Sequence, residues 1–138
     1  FLLIRPNIFL NSGSQFQKYL SKNSLVVSCM AGVKLTTIEK VLKTKKVIRI
    51  MPNVMASNIK SHTHIYMKNK NLIDSNLIKI LSSFGKTINV RNEDQINFAT
   101  SVFGSGPAFI AYIVNIFIKA SRNLINFLNN FYNTCITF

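Results

Sequence analysis

The 138-residue sequence predicts an α/β fold, in which a parallel sheet with flanking helices is followed by a purely helical region. Two observations lead to this fold class. As far as residue 91, short β-branched runs alternate with short amphipathic segments, and the links between them are brief. From residue 92 onward strand signals give way to helical periodicity. We therefore divide the chain into a sheet-containing domain, residues 1–91, and a helical domain, residues 92–138.

Five short apolar runs are the predicted strands. The first, residues 1–4, is wholly apolar, as expected of a strand that a parallel sheet covers on both faces. Strands that alternate with helices over short links favour right-handed crossovers and therefore parallel neighbours. The other four runs are residues 25–28, 47–51, 64–67 and 87–90.

Helix signals lie between these strands. Residues 14–21 are a weak helix candidate. Thr36 and Glu39 have the spacing of a capping box, which predicts a short amphipathic helix at that point. Asp74 is placed to cap a further helix, which Gly85 would terminate. The predicted inward residues of this further helix are Leu77, Ile78 and Leu81.

The helical region begins where Asn92 can act as an N-cap. The glycines of residues 104–106 are expected to break the first helix, and Pro107 suits the first position of the next. That next helix is apolar on nearly all sides, which predicts burial against a second copy of the chain. Its longest apolar run, residues 108–118, is shorter than the ~20 residues that span a bilayer, so we expect no membrane segment.

The net charge of +13 would by itself indicate a nucleic-acid or anionic partner. The lysines are scattered singly, however, and the densest cluster is only Lys43, Lys45 and Lys46. No Arg-rich run or RNA-binding aromatic motif accompanies them. We therefore expect no nucleic-acid partner, while a basic nucleic-acid-binding module remains the alternative from a different functional class.

The cysteines and histidines predict neither a metal centre nor a disulfide framework. Cys29 and Cys135 lie far apart without a CxxC motif, which favours a reducing, cytoplasmic environment. His62 and His64 share one face of a strand, lack a carboxylate or cysteine partner, and are interpreted as a solvent-facing pair. Since no nucleophile or acid–base cluster is apparent, no catalytic residue can be named, and chemistry supplied by a cofactor is favoured.

Four turns follow the predicted strands, where the ligand of a parallel α/β sheet binds. Ala31 and Gly32 are small enough to form a slot for a flat cofactor ring, although they also suit an ordinary turn. Arg5 can offer positive charge to a phosphate or carboxylate, or it is simply a solvated strand end. Asn53 has a donor and an acceptor for a ligand, or it stabilises a Pro-Asn turn. The fourth turn lies near Arg91.

Several short motifs in a fixed order resemble pyrroline-5-carboxylate reductases over about residues 1–120. The most specific are Val-Ile-Arg-Ile-Met-Pro-Asn at residues 47–53 and Gly-Ser-Gly-Pro-Ala-Phe at residues 104–109. Val-Ser-Cys-Met-Ala-Gly-Val at residues 27–33 is similar to the Ser-x-x-Ala-Gly-Val turn of that family. Further similar segments are Ile-Arg-Pro at residues 4–6, Leu-Ser-Ser-Phe-Gly at residues 81–85 and Glu-Asp-Gln-Ile at residues 93–96.

The resemblance implies an enzyme that reduces 1-pyrroline-5-carboxylate to L-proline with hydride from NADPH or NADH. It also implies an N-terminal Rossmann domain, here partial over residues 1–91, and the start of an all-helical dimerisation domain from residue 92. The helix that begins at Pro107 would form a homo-oligomer contact. By position, the resemblance assigns substrate binding to Asn115. The implied cofactor-binding residues are Ile4, Arg5, Pro6, Ala31, Gly32 and Asn53.

The chain also departs from the family pattern. The first strand and its Gly-rich phosphate turn are missing, Asn115 replaces an acidic residue, and residues 54–55 replace Thr-Pro. After Arg122 the family's Gly-Leu-Pro-Arg segment is absent, so the tail is divergent, through a shifted reading frame or an eroded end. We therefore expect a fragment that is inactive alone. Another dehydrogenase of the same superfamily is a second alternative, but Lys119 fits its catalytic lysine poorly.

Overall fold

The computed structural model describes residues 1–136, and the side chains of residues 1–130. It divides into two compact units, of which the first is Phe1–Gly104 and the second begins at Ser105. The first unit contains a four-stranded sheet, and the second contains one long helix. The α/β class predicted from the sequence is therefore confirmed.

The sheet has the order β1-β2-β3-β4. Its strands coincide with four of the five predicted runs to within a few residues, and β2 coincides completely. β1 and β2 are parallel, with Val27 opposite Ile48, and β3 and β4 are parallel, with Thr63 opposite Thr87. The strands are β1 Val26–Ser28, β2 Val47–Met51, β3 Ser61–Tyr66 and β4 Gly85–Asn89.

One strand pair contradicts the prediction of an all-parallel sheet. β2 and β3 are antiparallel, with Ile50 opposite Ile65. Their link, residues 52–60, contains only a 3₁₀ turn at Val54–Asn58. A parallel connection needs a crossover of a dozen or more residues, so this short link returns the chain in the opposite direction. The sheet is therefore mixed.

The predicted first strand is reduced to a single bridge. Leu2 lies parallel to Ser28, where the Leu2 amide donates to the Val27 carbonyl at 2.8 Å. The Cys29 amide in turn donates to the Leu2 carbonyl at 3.1 Å. A proline at residue 6 then begins a helix, which ends the extended segment early. Leu2 nevertheless adds a third parallel member beside β1 and β2.

Five α-helices flank or follow the sheet. A 3₁₀ helix, Gly13–Tyr19, occupies the weak helix candidate, and a shorter 3₁₀ turn lies at Lys70–Leu72. Thr100–Ser105 is a π-helical turn that lies directly before α5, where the sequence predicted a break between two helices. The helices are α1 Pro6–Ser12, α2 Leu35–Leu42, α3 Ser75–Ser82, α4 Glu93–Ala99 and α5 Gly106–Ile136.

Two of the predicted helix caps are confirmed. The Asp74 carboxylate accepts from the Leu77 amide at 2.7 Å and so caps α3. Asn92 caps α4 in a reciprocal capping box with Gln95. Gly85, however, does not terminate α3, because it is already the first residue of β4.

The capping box predicted for α2 is wrong. α2 begins at Leu35, and its N-cap residue Lys34 makes no side-chain cap bond. Glu39 is buried on this helix and pairs with Lys68 at 2.8 Å and Lys45 at 3.4 Å. Burial alone would raise the pKa of the Glu39 carboxyl, but the hydrogen bonds and charges of the two lysines together lower it. Glu39 therefore forms ion pairs with distant lysines instead of a capping box with Thr36.

Alternating side chains divide the core between the two faces of the sheet. One cluster packs under α1 and α2, and the other packs under α3. The first cluster comprises Phe9, Val26, Met30, Val33, Leu35, Ile38, Leu42 and Val47. The second comprises Val27, Ile48, Ile50, Ile65, Leu77 and Leu81.

Helix α4 belongs to the first compact unit. Its residues Ile96 and Ala99 are buried, and it contacts both β2 and β3. The compact unit therefore runs thirteen residues past position 91, to Gly104. The proposed division into functional domains at residues 91 and 92 stays a prediction.

Helix α5 is described by itself. It has 31 residues, and its side chains from Ala108 to Asn130 are exposed. The helical stretch Glu93–Asn130 is long and apolar enough to cross a membrane by length and composition alone. The expectation of no membrane segment was based on the shorter run of residues 108–118. The divergent tail continues α5 to Ile136, and Thr137 and Phe138 lie outside the described residues.

Replacing Leu81 with alanine should lower the free energy of unfolding by ~2–5 kcal/mol, because its fully buried side chain would leave a cavity in the second cluster. Ile78 on the same helix is the matched control. It was predicted to face inward but is 48% exposed, so Ile78→Ala should cost much less. Urea unfolding of both variants measures the difference. Equal losses would contradict the packing of α3 described here.

Candidate functional site

Three of the predicted site segments meet at one edge of the sheet. Residues 4–6 follow the Leu2 bridge, residues 29–32 follow β1, and residues 52–53 follow β2. Because the Leu2 segment, β1 and β2 are parallel neighbours, their carboxyl ends lie at the same edge. The structure thus brings together the residues predicted to bind a cofactor, which are Ile4, Arg5, Pro6, Ala31, Gly32 and Asn53.

The fourth predicted turn does not join this edge. Arg91 follows β4, which is parallel to β3 and therefore antiparallel to β1 and β2. Its turn consequently lies at the opposite edge of the sheet. The prediction failed because it assumed that all strands run in one direction.

Arg5 presents its side chain to solvent at the start of α1. It is the N-cap residue with an extended backbone, it makes no side-chain cap bond, and Pro6 occupies the first helical turn. Ile4 is partly buried against the first core cluster. The packing of Ile4 and the fixed φ of Pro6 hold the backbone on both sides of Arg5. The guanidinium is therefore available to an anionic ligand at this edge.

The Ala31-Gly32 turn offers an open surface. Both residues are exposed, and apart from Gly32 and its two chain neighbours no residue has an atom within 4 Å of the position that a Gly32 Cβ would occupy. Gly32 has φ +72°, a left-handed conformation that L side chains rarely adopt. A flat ligand can approach the backbone here without meeting a side chain. The same geometry also satisfies the simpler interpretation of an ordinary turn.

Asn53 stabilises the Pro-Asn turn. Its Oδ1 accepts from the Met55 amide at 3.1 Å, and its own amide donates to Ser61 Oγ at 3.2 Å. Of the two roles expected for Asn53, its Oδ1 therefore has the structural one, which is to stabilise the turn. Within the described residues, its Nδ2 group donates to no protein atom, so this half of the side chain can serve a ligand.

The sequence interpretation missed a buried ion pair beside this edge. Arg49, in the middle of β2, has 1% of its side chain exposed, and its Nη1 lies 2.7 Å from Glu93 Oε1. Its Nη2 donates to the Met30 carbonyl at 3.4 Å. The same Glu93 oxygen accepts from the Leu35 amide. An arginine within the otherwise apolar run Val-Ile-Arg-Ile-Met was the signal that could have revealed this pair.

The histidine pair is not solvent-facing as predicted. His62 is exposed, but His64 is buried, with the Phe103 ring centroid 4.9 Å from its own. Helix α4 and the turn after it cover this face of β3, which a strand pattern alone does not reveal. Burial is the main cause that lowers the pKa of His64.

No catalytic group emerges among the described residues. They contain no cluster of three or more histidine, cysteine or acidic side chains, and the expectation of no metal site stays a prediction. Burial raises the pKa of the Cys29 thiol, which makes it a poor nucleophile at neutral pH. The side chain of Cys135 lies outside the described residues. Asn115, the predicted substrate ligand, is exposed on α5 in the second unit, and its role stays a prediction.

The chain is similar to pyrroline-5-carboxylate reductases in sequence. A protein of that name from Staphylococcus epidermidis is 30% identical over 131 residues, covering 90% of this chain and 46% of the relative. One from Staphylococcus aureus is 31% identical over 129 residues, with the same coverage of 90% and 46%. No family model matches the chain. The chain therefore spans about half the length of the curated relatives it matches.

Solved structures show the same likeness in fold. A reductase of this name from Coxiella burnetii has a TM-score of 0.69 at 30% identity, covering 89% of this chain and 47% of its own. One from Streptococcus pyogenes has a TM-score of 0.69 at 26% identity, with coverages of 87% and 46%. The Plasmodium falciparum enzyme, solved with NADP bound, matches in fold at 22% identity and a TM-score of 0.70. The resemblance and the Rossmann-like fold class predicted from the sequence are confirmed.

Replacing Gly32 with valine should lower the free energy of unfolding by about 1–2 kcal/mol, because φ +72° strains any residue that has a Cβ. Asparagine tolerates the left-handed region, so Gly32→Asn is the matched control and should cost less. Urea unfolding of the two variants gives the comparison. A valine variant as stable as the original would show that the turn has another conformation in solution.

Stability should fall on acidification because His64 is neutral in the folded chain. Its lowered pKa means that its contribution is complete above the unfolded value of ~6.5 and is lost as the pH falls through the folded pKa. Urea unfolding at pH 7.5 and pH 5 measures the loss. His64→Gln should reduce this pH dependence, and His62→Gln should retain it. An unchanged dependence in the His64 variant would be evidence against burial of a neutral His64.

Proposed function

We propose that the chain is part of a pyrroline-5-carboxylate reductase, which reduces 1-pyrroline-5-carboxylate to L-proline with hydride from NADPH or NADH. The observation that carries this proposal is the meeting of three turns at one sheet edge, each at the end of a parallel segment. The sequence similarity over 90% of the chain supports it independently. The proposed location is the cytoplasm, with no nucleic-acid or membrane partner.

Each turn has a proposed part in holding the cofactor, which supplies the hydride when bound. Arg5 offers its exposed guanidinium to a phosphate or to the substrate carboxylate. Ala31 and Gly32 let the flat ring approach the backbone closely. Asn53 orients an amide through its Nδ2 group while Oδ1 maintains the turn. Ile4 and Pro6 complete the wall beside Arg5.

Substrate binding and oligomer formation are proposed for the second unit. Asn115 would hydrogen-bond the substrate without the charge that an acidic residue would supply. The helix from Pro107 exposes apolar side chains on all sides, including Phe109, Ile113 and Phe117. Such a surface is unfavourable in water, so a second copy of the chain is the proposed partner.

The charge of +13 keeps a basic nucleic-acid-binding module as the second candidate. Filter binding to a random duplex across a salt series distinguishes the two proposals. Phosphate neutralisation by many lysines gives a steep fall of affinity with salt, whereas the reductase proposal predicts only weak binding. Tight, salt-dependent binding without any NADPH affinity would favour the basic module.

Arg5 can be tested in a chimera, because the chain as it stands carries no Gly-rich phosphate turn. Residues 1–104 replace the matching segment of the Staphylococcus epidermidis relative, and calorimetry measures NADPH affinity. Arg5→Ala should weaken binding ~10-fold or more, since a charge-assisted hydrogen bond contributes ~1.5–3 kcal/mol. The exposed Lys18→Ala is the matched control and should have little effect. A folded chimera without NADPH affinity would contradict the proposal.

The unmodified chain should not oxidise NADPH measurably in the presence of 1-pyrroline-5-carboxylate. The physical reason is that the phosphate cradle and the later helical part of the site are needed to orient both reactants. The assay is the loss of NADPH absorbance, with the Staphylococcus epidermidis enzyme as the positive control. Clear turnover by the chain alone would contradict this expectation.

A further inference from the structure

The Arg49–Glu93 ion pair has no assigned part in the proposed reaction. It is formed by β2 and the first turn of α4, two elements that lie far apart in sequence. Arg49 is the largest of the fully buried side chains, and 18% of the Glu93 side chain is exposed. Arg49 is too deeply buried to touch a ligand on the surface, and Glu93 Oε1 is already bonded to Arg49 and to the Leu35 amide, so a contribution of the pair would be indirect.

The hydrogen bonds of this pair bracket the Ala31-Gly32 turn. On one side, Arg49 Nη2 donates to the carbonyl of Met30, the residue before the turn. On the other side, Glu93 Oε1 accepts from the amide of Leu35, the first residue of α2. Residues 31–34 therefore lie between two backbone groups that are held by one ion pair. The side chain of the N-cap residue Lys34 makes no cap bond. The Glu93 carboxylate, on a different helix, accepts from the first amide of α2 in its place.

The pair is a costly way to stabilise a core. Removing two charges from water carries a desolvation penalty that their attraction often fails to repay, and apolar replacements can be equally stable. Here the cost is greater still, because the buried Arg49 Nε has no hydrogen-bond partner among the described residues. The hydrogen bonds of the ion pair are directional, so they can fix the positions of the two ends of a short turn. Apolar side chains cannot do this.

We propose that Arg49 and Glu93 are positioning residues that hold the Ala31-Gly32 turn in the shape that receives the nicotinamide part of the cofactor. The identity of the ligand rests on the proposed function. The effect of the ion pair on the turn does not depend on that function. The ion pair acts through the backbone of Met30 and Leu35 and does not touch the cofactor.

The first test measures the turn in the full 138-residue chain without ligand. Residue-resolved amide hydrogen exchange by NMR follows Leu35 and residues 31–34. The double variant Arg49→Met, Glu93→Leu removes both charges and should keep the melting temperature close to the original. Exchange at Leu35 should nevertheless rise ~10-fold or more, because its acceptor is gone. Exchange in β2 should stay unchanged.

Two further variants separate positioning from general loosening. Glu93→Gln keeps an acceptor for Leu35 but leaves Arg49 without its charge partner, so a smaller rise is expected, provided that it folds. Glu39→Gln is the matched control, since Glu39 is also a buried, ion-paired carboxylate but its side chain bonds Lys45 and Lys68 and not residues 30–35. It should leave exchange at Leu35 unchanged. Unaltered exchange in the double variant, or an equal rise in Glu39→Gln, would overturn the proposal.

The second test measures ligand affinity in the chimera described above, which carries residues 1–104 with the same substitutions and supplies the Gly-rich phosphate turn. NADPH fluorescence titration should show a dissociation constant ~10-fold higher in the double variant than in the unsubstituted chimera, and no change in Glu39→Gln. A double variant that binds NADPH as tightly as the original would overturn the positioning role. If the unsubstituted chimera shows no NADPH binding, the proposed function loses its support, whereas the exchange result in the 138-residue chain still decides whether the ion pair orders the turn.

Discussion

The parallel pairing of the Leu2 segment, β1 and β2 is the constraint on which the candidate site depends. Its hydrogen bonds place three sequence-distant turns at one edge of the sheet, because parallel strands end together. Each turn then contributes one property. The first turn exposes the Arg5 guanidinium, and the second exposes the backbone at Gly32. The third presents Asn53, whose Oδ1 is hydrogen-bonded within the turn while its Nδ2 is available to a ligand.

The return of the chain after β2 limits the site to that edge. The short link at residues 52–60 reverses direction, so β3 and β4 end on the other side of the sheet. The reversal also brings Ser61 against the Asn53 amide, which fixes the third turn. Helix α4 then packs over β2 and β3, and Glu93 in its first turn reaches Arg49. The reversal of direction and the buried ion pair are therefore two parts of the same packing arrangement.

Local chemistry was predictable from the sequence, whereas long-range pairing was not. The β-branched run of β2 and the caps Asp74 and Asn92 were identified because each depends on neighbouring residues alone. The failed cap at Thr36 shows the limit, since the cap of α2 comes from Glu93, 58 positions away. Burial of His64 was missed for the same reason. The roles of the predicted cofactor-binding residues and of Asn115 stay predictions, because binding depends on the chemistry of a ligand as well as on the fold.

Whether the three turns form one cofactor wall can be decided by mapping backbone amide chemical shifts while the chimera that carries residues 1–104 is titrated with NADPH. We predict that the shifts of residues 4–6, 29–32 and 52–53 change together with a single apparent affinity, while those near Arg91 stay constant. Changes at the Arg91 edge, or changes in only one of the three turns, would contradict a cofactor wall built from the ends of parallel strands.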